Sequence, residues 1–447
     1  MLGVIVHPLK AVAARVCVRL LRGLAPSLAQ QPAAGPAAVA SASARPGGGR
    51  ARARVLVLAP QPYYLERGTP IDVDLLVRAL GERGHEVDLV TYHEGRDQHH
   101  PGVTLHRIRA PRWLADVTPG FSGKKLVCDL LLLAKAWAVW RRRRPDVVHA
   151  GEEAVFIALA LRVVHGTPYV YDMDSSLAQQ LVEQMPALAP ASRPLAACER
   201  VAIRRSLAAA PVCDELAALA RDRGAPHVQV LHDISQLRVD GQVQPGQVRA
   251  KAGLADDDPV VMYVGNFEPY QGLDLLLAAG ARARARGARF HLVLLGGTAG
   301  QARQIEAQAA AMGIDDRVHC VGPWPLERLH EALVDADVLV VPRTRGVNTP
   351  MKVFPFLHSG KPVLATDLRT HTQILDTSIA MLAPPEADAF AAALTRLLGD
   401  RALREQLGAA GRRFVEANHT YAAHRQRVDQ LYAYIEARCL HAAAPEL

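Results

Sequence analysis

The segment from Asn348 to Thr366, NTPMKVFPFLHSGKPVLAT, places a single lysine beside a predicted helix start. Asn348 or Thr349 is a good N-cap and Pro350 is favoured in a first helical turn, so Lys352 falls in that turn. A cation at this end of a helix opposes the helix dipole by roughly a few tenths of a kcal/mol. The pattern is typical of a site where an anion, such as a diphosphate, lies between the lysine and the helix.

Pro355 stands where this predicted helix should continue, and it removes a backbone N–H from the helix interior. The Gly-Lys-Pro turn at 360–362 precedes a strand instead of opening a helix, so it is not a P-loop. Lys361 of this turn is therefore not assigned to the site. The cations that the sequence places near the predicted anion are Lys352, Arg343 and Arg345.

Polar residues and glycines follow other predicted strands of the second half of the chain. They are Gly265, Asn266, Glu268 and Gln271 after one strand, and Gly296 and Gly297 after the next. A glycine pair at a strand end lets the backbone approach a phosphate or a ribose. Neither a Walker spacing nor a dinucleotide fingerprint is present.

Loops of the first half carry a histidine, several acids and hydroxyl groups. They contain Gly68 and Thr69 in one loop, His149, Glu152 and Glu153 in a second, and Asp172, Asp174, Ser175 and Ser176 in a third. Tight turns, helix dipoles and N-caps explain many of these residues without any function. The two acids of the third loop exceed what capping requires, so this loop is also a candidate site.

The charge of the chain is distributed unevenly. The net charge is +8 over 447 residues, and residues 1–54 hold eight basic residues and no acid, so the rest of the chain is neutral. This excludes an electrostatic footprint for nucleic acid on the body of the protein. Six scattered cysteines without a Cys-x-x-Cys pair favour reduced thiols and argue against a structural metal. No apolar run is long enough to span a membrane.

Short β-branched runs alternate with amphipathic helical patterns from residue 54 onward. The predicted strands are 55–60, 86–92, 103–108, 146–150, 169–173 and 228–231, followed by 260–265, 291–297, 318–322, 337–342, 361–366 and 379–384. Such alternation predicts parallel sheets covered by helices, and the polar segment 239–251 interrupts it. We therefore predict an α/β protein with two doubly wound, Rossmann-like domains, whose ligands bind in the cleft beyond the strand ends.

The motifs YVGNFEPYQGLDLL, VLLGG, DADVLVVPR and NTPMKVFPFLHSGKPVLATDLRTHTQIL resemble those of the retaining nucleotide-sugar glycosyltransferases of GT-B fold, family 4. RGTPIDVDLLVRALGERGHEVDLVT and PDVVHA in the first half are similar to the acceptor loop and the histidine-bearing strand end of that family. The resemblance covers about residues 54–435.

The resemblance implies a division of the chain into four parts. Residues 1–53 form a basic, low-complexity extension, either a tethering helix or dispensable sequence. Residues 54–238 bind the acceptor, residues 239–420 bind a nucleotide sugar, and residues 421–447 form a helix that crosses back to the first domain, with a short tail.

The resemblance also implies roles for single residues, and no metal or other cofactor. Lys352 neutralises the diphosphate, with His149, Glu152 and Asp172 positioning the acceptor hydroxyl. The implied donor-binding residues are Gly265, Asn266, Glu268, Gln271, Gly296, Gly297, Arg343, Asn348, Thr349 and Thr370, and the implied acceptor-side residues are Gly68, Thr69, Asp174 and Ser175.

The sequence departs from the family pattern at its donor site. The usual arginine and lysine are replaced by Asn266 and Gln271, and the usual glutamate pair by Val347 and Pro355. Because Asn and Gln still donate hydrogen bonds, we interpret the chain as a divergent subgroup in which Lys352 takes over phosphate neutralisation.

The expected function is transfer of a sugar from a nucleoside diphosphate sugar to a polysaccharide or glycolipid acceptor in the cytoplasm, with retention of configuration. An inactive nucleotide-sugar-binding partner and a sugar-nucleotide epimerase of the same fold stay open as alternatives. Basic clusters at 124–125 and 141–144 are compatible with peripheral association with an anionic membrane, or with an ordinary solvated face.

Overall fold

The computed structural model describes residues 52–64, 68–115, 117, 122–185, 190–237 and 244–439. Most of the predicted basic extension, the predicted domain boundary after residue 238 and the tail at 440–447 lie outside these residues. The positions of the domain boundaries therefore stay predictions.

Two six-stranded parallel sheets form the framework, as the alternating pattern predicts. The first has the order β3-β2-β1-β4-β5-β6 and consists of β1 (Arg54–Ala59), β2 (Glu86–Thr91), β3 (Val103–Arg107), β4 (Val147–Gly151), β5 (Tyr169–Met173) and β6 (Ala208–Pro211). The second has the order β12-β11-β10-β7-β8-β9 and consists of β7 (Val260–Val264), β8 (His291–Leu295), β9 (Val318–Gly322), β10 (Val338–Val341), β11 (Val363–Thr366) and β12 (Met381–Ala383).

Helices cover both faces of each sheet, which explains why the central strands are continuously apolar. Those of the first part are α1 (Gly68–Arg83), α2 (Gly123–Arg143), α3 (Val155–His165), α4 (Leu177–Gln184), α5 (Ser192–Arg205) and α6 (Asp214–Asp222). Those that follow are α7 (Gln247–Ala252), α8 (Leu273–Ala285), α9 (Ala299–Ala311), α10 (Leu329–Val334), α11 (Val353–His358), α12 (Arg369–Thr372), α13 (Ala387–Gly399), α14 (Arg401–Asn418) and α15 (Tyr421–Cys439). Short 3-10 turns lie at Arg112–Leu114, Glu152–Ala154, Pro269–Gln271, Asp315–Arg317 and Leu326–Arg328.

One predicted strand of the first sheet is wrong. The expected sixth strand at 228–231 contributes only an isolated bridge between Val228 and Ala209, and the sixth strand is Ala208–Pro211. This segment, AAAP, has no β-branched residue, so strand propensity does not reveal it. Complete burial against the neighbouring helices selects its small side chains instead.

The last helix, α15, packs against the first sheet although it follows the second sheet in the chain. Val428, Leu431 and Tyr432 belong to the apolar cluster that contains β1 and β2. On α1, Arg83 donates to Asp429 at 2.6 Å and to both oxygens of Glu436 at 2.9 and 2.8 Å. This partly buried, bidentate clamp fixes α15 on the first domain.

Candidate functional site

Lys352 lies at the carboxyl edge of the second sheet, directly before α11. Its Nζ donates to the hydroxyl of Tyr263 at 3.0 Å and to Oε1 of Gln271 at 3.1 Å. It also lies 4.1 Å from the centroid of the Tyr263 ring. Burial, with a smaller contribution from the charge of Arg343, lowers the pKa of Lys352 to about 7. None of these partners is an anion, so the ammonium group lacks a counter-charge in this arrangement.

Glycines let this lysine lie directly against the backbone of the neighbouring strand ends. Gly265 has a φ of 147°, and a Cβ built on it would lie 2.6 Å from Nζ of Lys352. A Cβ on Gly296 would lie 1.9 Å from the carbonyl oxygen of Gly265, and one on Gly297 would meet the Phe267 ring at 2.4 Å. The backbones of two neighbouring strand ends therefore pack closely, and the lysine occupies the space that a side chain would fill.

The side chain of Arg343 holds the loop before Lys352 in place through hydrogen bonds to its oxygens. It donates to the carbonyl oxygen of Arg345 at 2.7 Å and to the carbonyl and side-chain oxygens of Asn348 at 3.1 and 3.2 Å. Thr370 donates to the same Asn348 carbonyl at 2.6 Å. These bonds use much of the hydrogen-bonding capacity of Arg343, and burial lowers its pKa. Arg343, Asn348 and Thr370 thus shape the loop, and their roles in donor binding stay predictions.

The remaining predicted donor residues lie on both sides of the lysine. Asn266 and Glu268 are exposed in the loop after β7, whereas Gln271 is buried. The hydroxyl of Thr349 is buried and has no hydrogen-bond partner among the described residues. The structure thus brings a buried hydroxyl, a lysine and an exposed amide to one edge of the sheet.

The predicted helix start at Asn348 or Thr349 is wrong by several residues. The helix α11 begins at Val353, and Lys352 is its N-cap. Pro355 is consequently the third residue of the helix, where a backbone N–H has no acceptor within the helix. The proline is therefore tolerated because it removes a donor that the helix does not use.

A cavity of about 590 Å³ lies at the carboxyl edge of the first sheet. Five residues singled out in the sequence line it: Gly68, Thr69, Glu152 and Glu153 from the first half of the chain, and Asn266 from the loop after β7. The two sheets therefore face each other across one cleft. Gly68 begins α1 with a φ of 28°.

Glu152 has a left-handed backbone, with a φ of 46°, at the end of β4. Non-glycine residues in this conformation cost about 1–3 kcal/mol and are found often at functional sites. Burial raises the pKa of the Glu152 carboxyl to about 7, opposed by a hydrogen bond of 2.9 Å from the hydroxyl of Ser175. Glu152 is therefore near half-ionised at neutral pH.

Asp174 and Asp72 are half-buried and belong to a group of neighbouring acids. Burial raises the pKa of Asp174, and the charges of Asp172 and Glu152 raise it further, whereas a hydrogen bond with Thr69 lowers it. Burial and the charge of Asp233 likewise raise the pKa of Asp72.

His149 is completely buried at the end of β4. Its Nδ1 lies 3.0 Å from the hydroxyl of Tyr432 on α15, and its Nε2 lies 3.4 Å from Oδ2 of Asp172. His149 therefore lies behind Asp172 and does not contact the cleft directly. A role in positioning the acceptor stays a prediction for both residues.

Sequence reasoning missed several residues of the site. Tyr263 is part of an apolar strand, and Lys125 and Asp129 are part of a helical pattern, so neither pattern indicates a functional residue. Lys125 contacts the carboxylate of Glu153, the carbonyl oxygen of Pro60 at 3.0 Å and the hydroxyl of Tyr92 at 3.2 Å. The one available signal was the pair of charges that interrupts the apolar α2.

The described residues contain neither a metal-binding cluster nor a membrane-spanning helix. No group of three or more His, Cys, Asp or Glu side chains there could hold a metal ion. No helix in the described ranges combines the length and apolar character that crossing a membrane demands.

Two family models match the chain. Residues 67–232 match the glycosyl transferase 4-like domain, and residues 246–414 match glycosyl transferases group 1. A D-inositol 3-phosphate glycosyltransferase of Nocardia farcinica is 33% identical over 36% of this chain and 37% of its own length. An alpha-D-kanosaminyltransferase of Streptomyces kanamyceticus is 25% identical over 68% of this chain and 84% of its own length. The chain thus spans well under half of the first of these relatives.

Solved structures share the fold. Sucrose-phosphate synthase from Thermosynechococcus elongatus has a TM-score of 0.71 and 22% identity, covering 86% of this chain and all of that one. Anabaena HepE in complex with UDP-glucose has a TM-score of 0.65 and 14% identity, covering 86% and 100%.

Two parallel sheets that face one cleft agree with the GT-B fold, and the two family matches show that the chain is a glycosyltransferase. Both domain matches agree with this class. The chain belongs to the family 4, group 1 glycosyltransferases, which confirms the predicted fold class and family.

Proposed function

We propose that the protein transfers a glycosyl group from a nucleoside diphosphate sugar to a polysaccharide or glycolipid acceptor, with retention of configuration and without a metal. The observation that carries this proposal is the position of Lys352. A half-buried ammonium group without a counter-anion lies among glycine-lined strand ends on the cleft.

A diphosphate bound at this position completes the ion pair that Lys352 lacks. Its negative charge raises the pKa of the lysine again, so the group is protonated when the donor is bound. Charge that develops on the departing diphosphate is then stabilised by a cation that is already in place. The nucleotide-sugar assignment is supported by the HepE structure, which contains UDP-glucose.

The opposite side of the cleft is suited to an acceptor hydroxyl. Glu152 lines the cavity, and with a pKa of about 7 it is ionised in a large fraction of molecules at neutral pH. In that form its carboxylate accepts a hydrogen bond from a hydroxyl group and orients it towards the donor.

Peripheral membrane association on the cytoplasmic side is part of the proposal. On α2, Leu130 and Leu133 are exposed, at 60% and 36%, and Arg141 and Arg142 are exposed at its end. Apolar and basic groups on one helix suit an anionic lipid surface. Sedimentation with anionic vesicles at low and high salt tests this: salt-sensitive binding is expected, and binding that is absent at low salt contradicts it.

The main experiment has two stages. Thermal-shift measurements with UDP-, ADP-, GDP- and dTDP-sugars identify the donor, and the radiolabelled donor is then incubated with lipid extract and glycans. We expect transfer, with an anomeric configuration in the product equal to that of the donor. Binding without transfer or hydrolysis identifies an inactive partner protein, and conversion of the donor without acceptor identifies an epimerase.

A further inference from the structure

The cavity on the first sheet carries an excess of negative charge. Among the described residues that line it, Lys125 is the one cation, and it already contacts the carboxylate of Glu153. Glu199 also lines the cavity, but its charge is matched by the buried Arg223. These two pairs are internally balanced.

Asp129 and Glu152 share Lys125 with Glu153, so one cation faces three carboxylates. Asp129 accepts a hydrogen bond from the hydroxyl of Tyr92 and lies 3.9 Å from Lys125, which is engaged with Glu153. Glu152 accepts a hydrogen bond from the neutral Ser175. Burial raises the pKa of both carboxyl groups, so a positive charge placed beside them would be stabilised.

An unpartnered polar group indicates independently that the cavity binds a polar ligand. Nε2 of Gln61, which lines the cavity, is buried and has no hydrogen-bond partner among the described residues. Buried donors of this kind are normally satisfied, and the amide nitrogen of Gln61 suits a ligand oxygen.

Most of the remaining cavity surface is apolar. Its hydrophobic wall is formed by α2, α3 and α4, through Leu126, Phe156, Leu177 and Leu181. A ligand that fills the cavity therefore needs a hydrophobic part in addition to its polar groups.

We propose that the acceptor is a hydroxyl-bearing amine with an apolar portion, whose ammonium group binds between Asp129 and Glu152. This inference rests on the proposed function, because it names the substrate class of the acceptor side. An acceptor with a phosphate in this cavity would face two unbalanced carboxylates and find no uncommitted cation among the described residues.

Three matched probes test the charge preference: octyl 6-amino-6-deoxy-β-glucoside, octyl β-glucoside and its 6-phosphate. Their dissociation constants are measured by calorimetry on the full chain, at pH 7.5 with UDP present. We expect the amine to bind at least about tenfold more tightly than the neutral glucoside, and the phosphate to bind most weakly. Equal affinities, tightest binding of the phosphate, or no binding of any probe would overturn the proposal.

Glu153→Gln provides a sharper comparison because it removes one negative charge and releases Lys125. The preference for the amine over the phosphate should shrink by at least about tenfold. Asp129→Asn should reduce it in the same direction, because it removes one of the negative charges that face Lys125. Glu306→Gln, an exposed acid on α9, is the matched control and should leave all three affinities unchanged. An unchanged preference in both cavity variants contradicts the assignment.

The nucleotide-sugar panel keeps the two hypotheses separate. Binding of a nucleotide sugar together with no charge preference among the probes refutes the acceptor class alone. A clear preference for the amine in a protein that binds no nucleotide sugar refutes the proposed transfer reaction and leaves the cavity assignment supported.

Discussion

Replacement of Lys352 by methionine should weaken donor binding and at the same time stabilise the free protein. The ammonium group of Lys352 has two neutral oxygen partners, at 3.0 and 3.1 Å, and no counter-anion. Loss of a charge-assisted contact to the diphosphate costs about 1.5–3 kcal/mol, so the dissociation constant at pH 6.5 should rise roughly ten- to a hundredfold.

The pH dependence of donor affinity tests the same role of Lys352 independently. In the free protein the pKa of Lys352 is about 7, far below its ordinary value of 10.5. Above pH 7 the lysine must take up a proton to bind the diphosphate, so donor affinity should fall by up to about tenfold per pH unit. Calorimetry in buffers of different ionisation enthalpy should show uptake of about one proton at pH 8. In Lys352→Met both effects should disappear.

The stability of the free protein should move in the opposite direction. Because the pKa is depressed in the folded state, the unfolded chain binds more protons between about pH 7 and pH 10.5, and stability rises with pH in that window. The cost of the buried charge is complete below pH 7. Lys352→Met removes it, so the melting temperature should increase most at pH 6.

A matched control is Lys361→Met. Lys361 lies before β11, away from the cleft edge, and is also half-buried with a lowered pKa. Its Nζ donates to the carbonyl oxygen of Val334. Its replacement should not change donor affinity. If Lys352→Met keeps full, pH-dependent affinity while Lys361→Met does not, the assignment of the diphosphate to Lys352 is refuted.

Three further predictions concern other parts of the molecule. Glu152→Gln should remove the acidic limb, near pH 7, from the pH profile of kcat/KM, because Glu152 must be ionised to accept a hydrogen bond from the acceptor hydroxyl; an unchanged profile contradicts this role. Pro355→Ala should change the free energy of unfolding by less than about 1 kcal/mol, since the third helical residue needs no N–H; a larger change in urea unfolding would mean that the ring itself is required. Arg83→Met should destabilise the protein by about 1.5–3 kcal/mol, because it removes the charged hydrogen bonds that Asp429 and Glu436 accept from α1, and unchanged melting would show that the clamp contributes little.

The sequence predicts the sheets well because their strands are buried on both faces and read as continuous apolar runs. β1, with five buried residues in VLVLA, is an example. β6 is not predictable in this way, since AAAP carries no strand signal and is defined by what packs on it. The start of α11 is missed for a similar reason: Asn348 has the chemistry of an N-cap but is held by Arg343 and Thr370.

The site is predicted where its residues follow strands and missed where they do not. Lys352 and Glu152 stand in loops after strands, so their position in the chain reveals them. Lys125 lies inside a helical pattern, and the contact between His149 and Tyr432 joins residues that are 283 positions apart. The contact forms because α15, which follows the second sheet in the chain, packs on the first sheet. A local sequence pattern does not contain this information.

The clamp between α1 and α15 determines which fragment of the chain can fold as a separate acceptor-binding domain. A fragment that stops before residue 421 would lack the helix that fills one face of the first sheet, and would leave Arg83 without its carboxylates. A separable acceptor-binding unit is therefore discontinuous in sequence, and a version that can be expressed alone must join residues 421–439 to its end through a new linker.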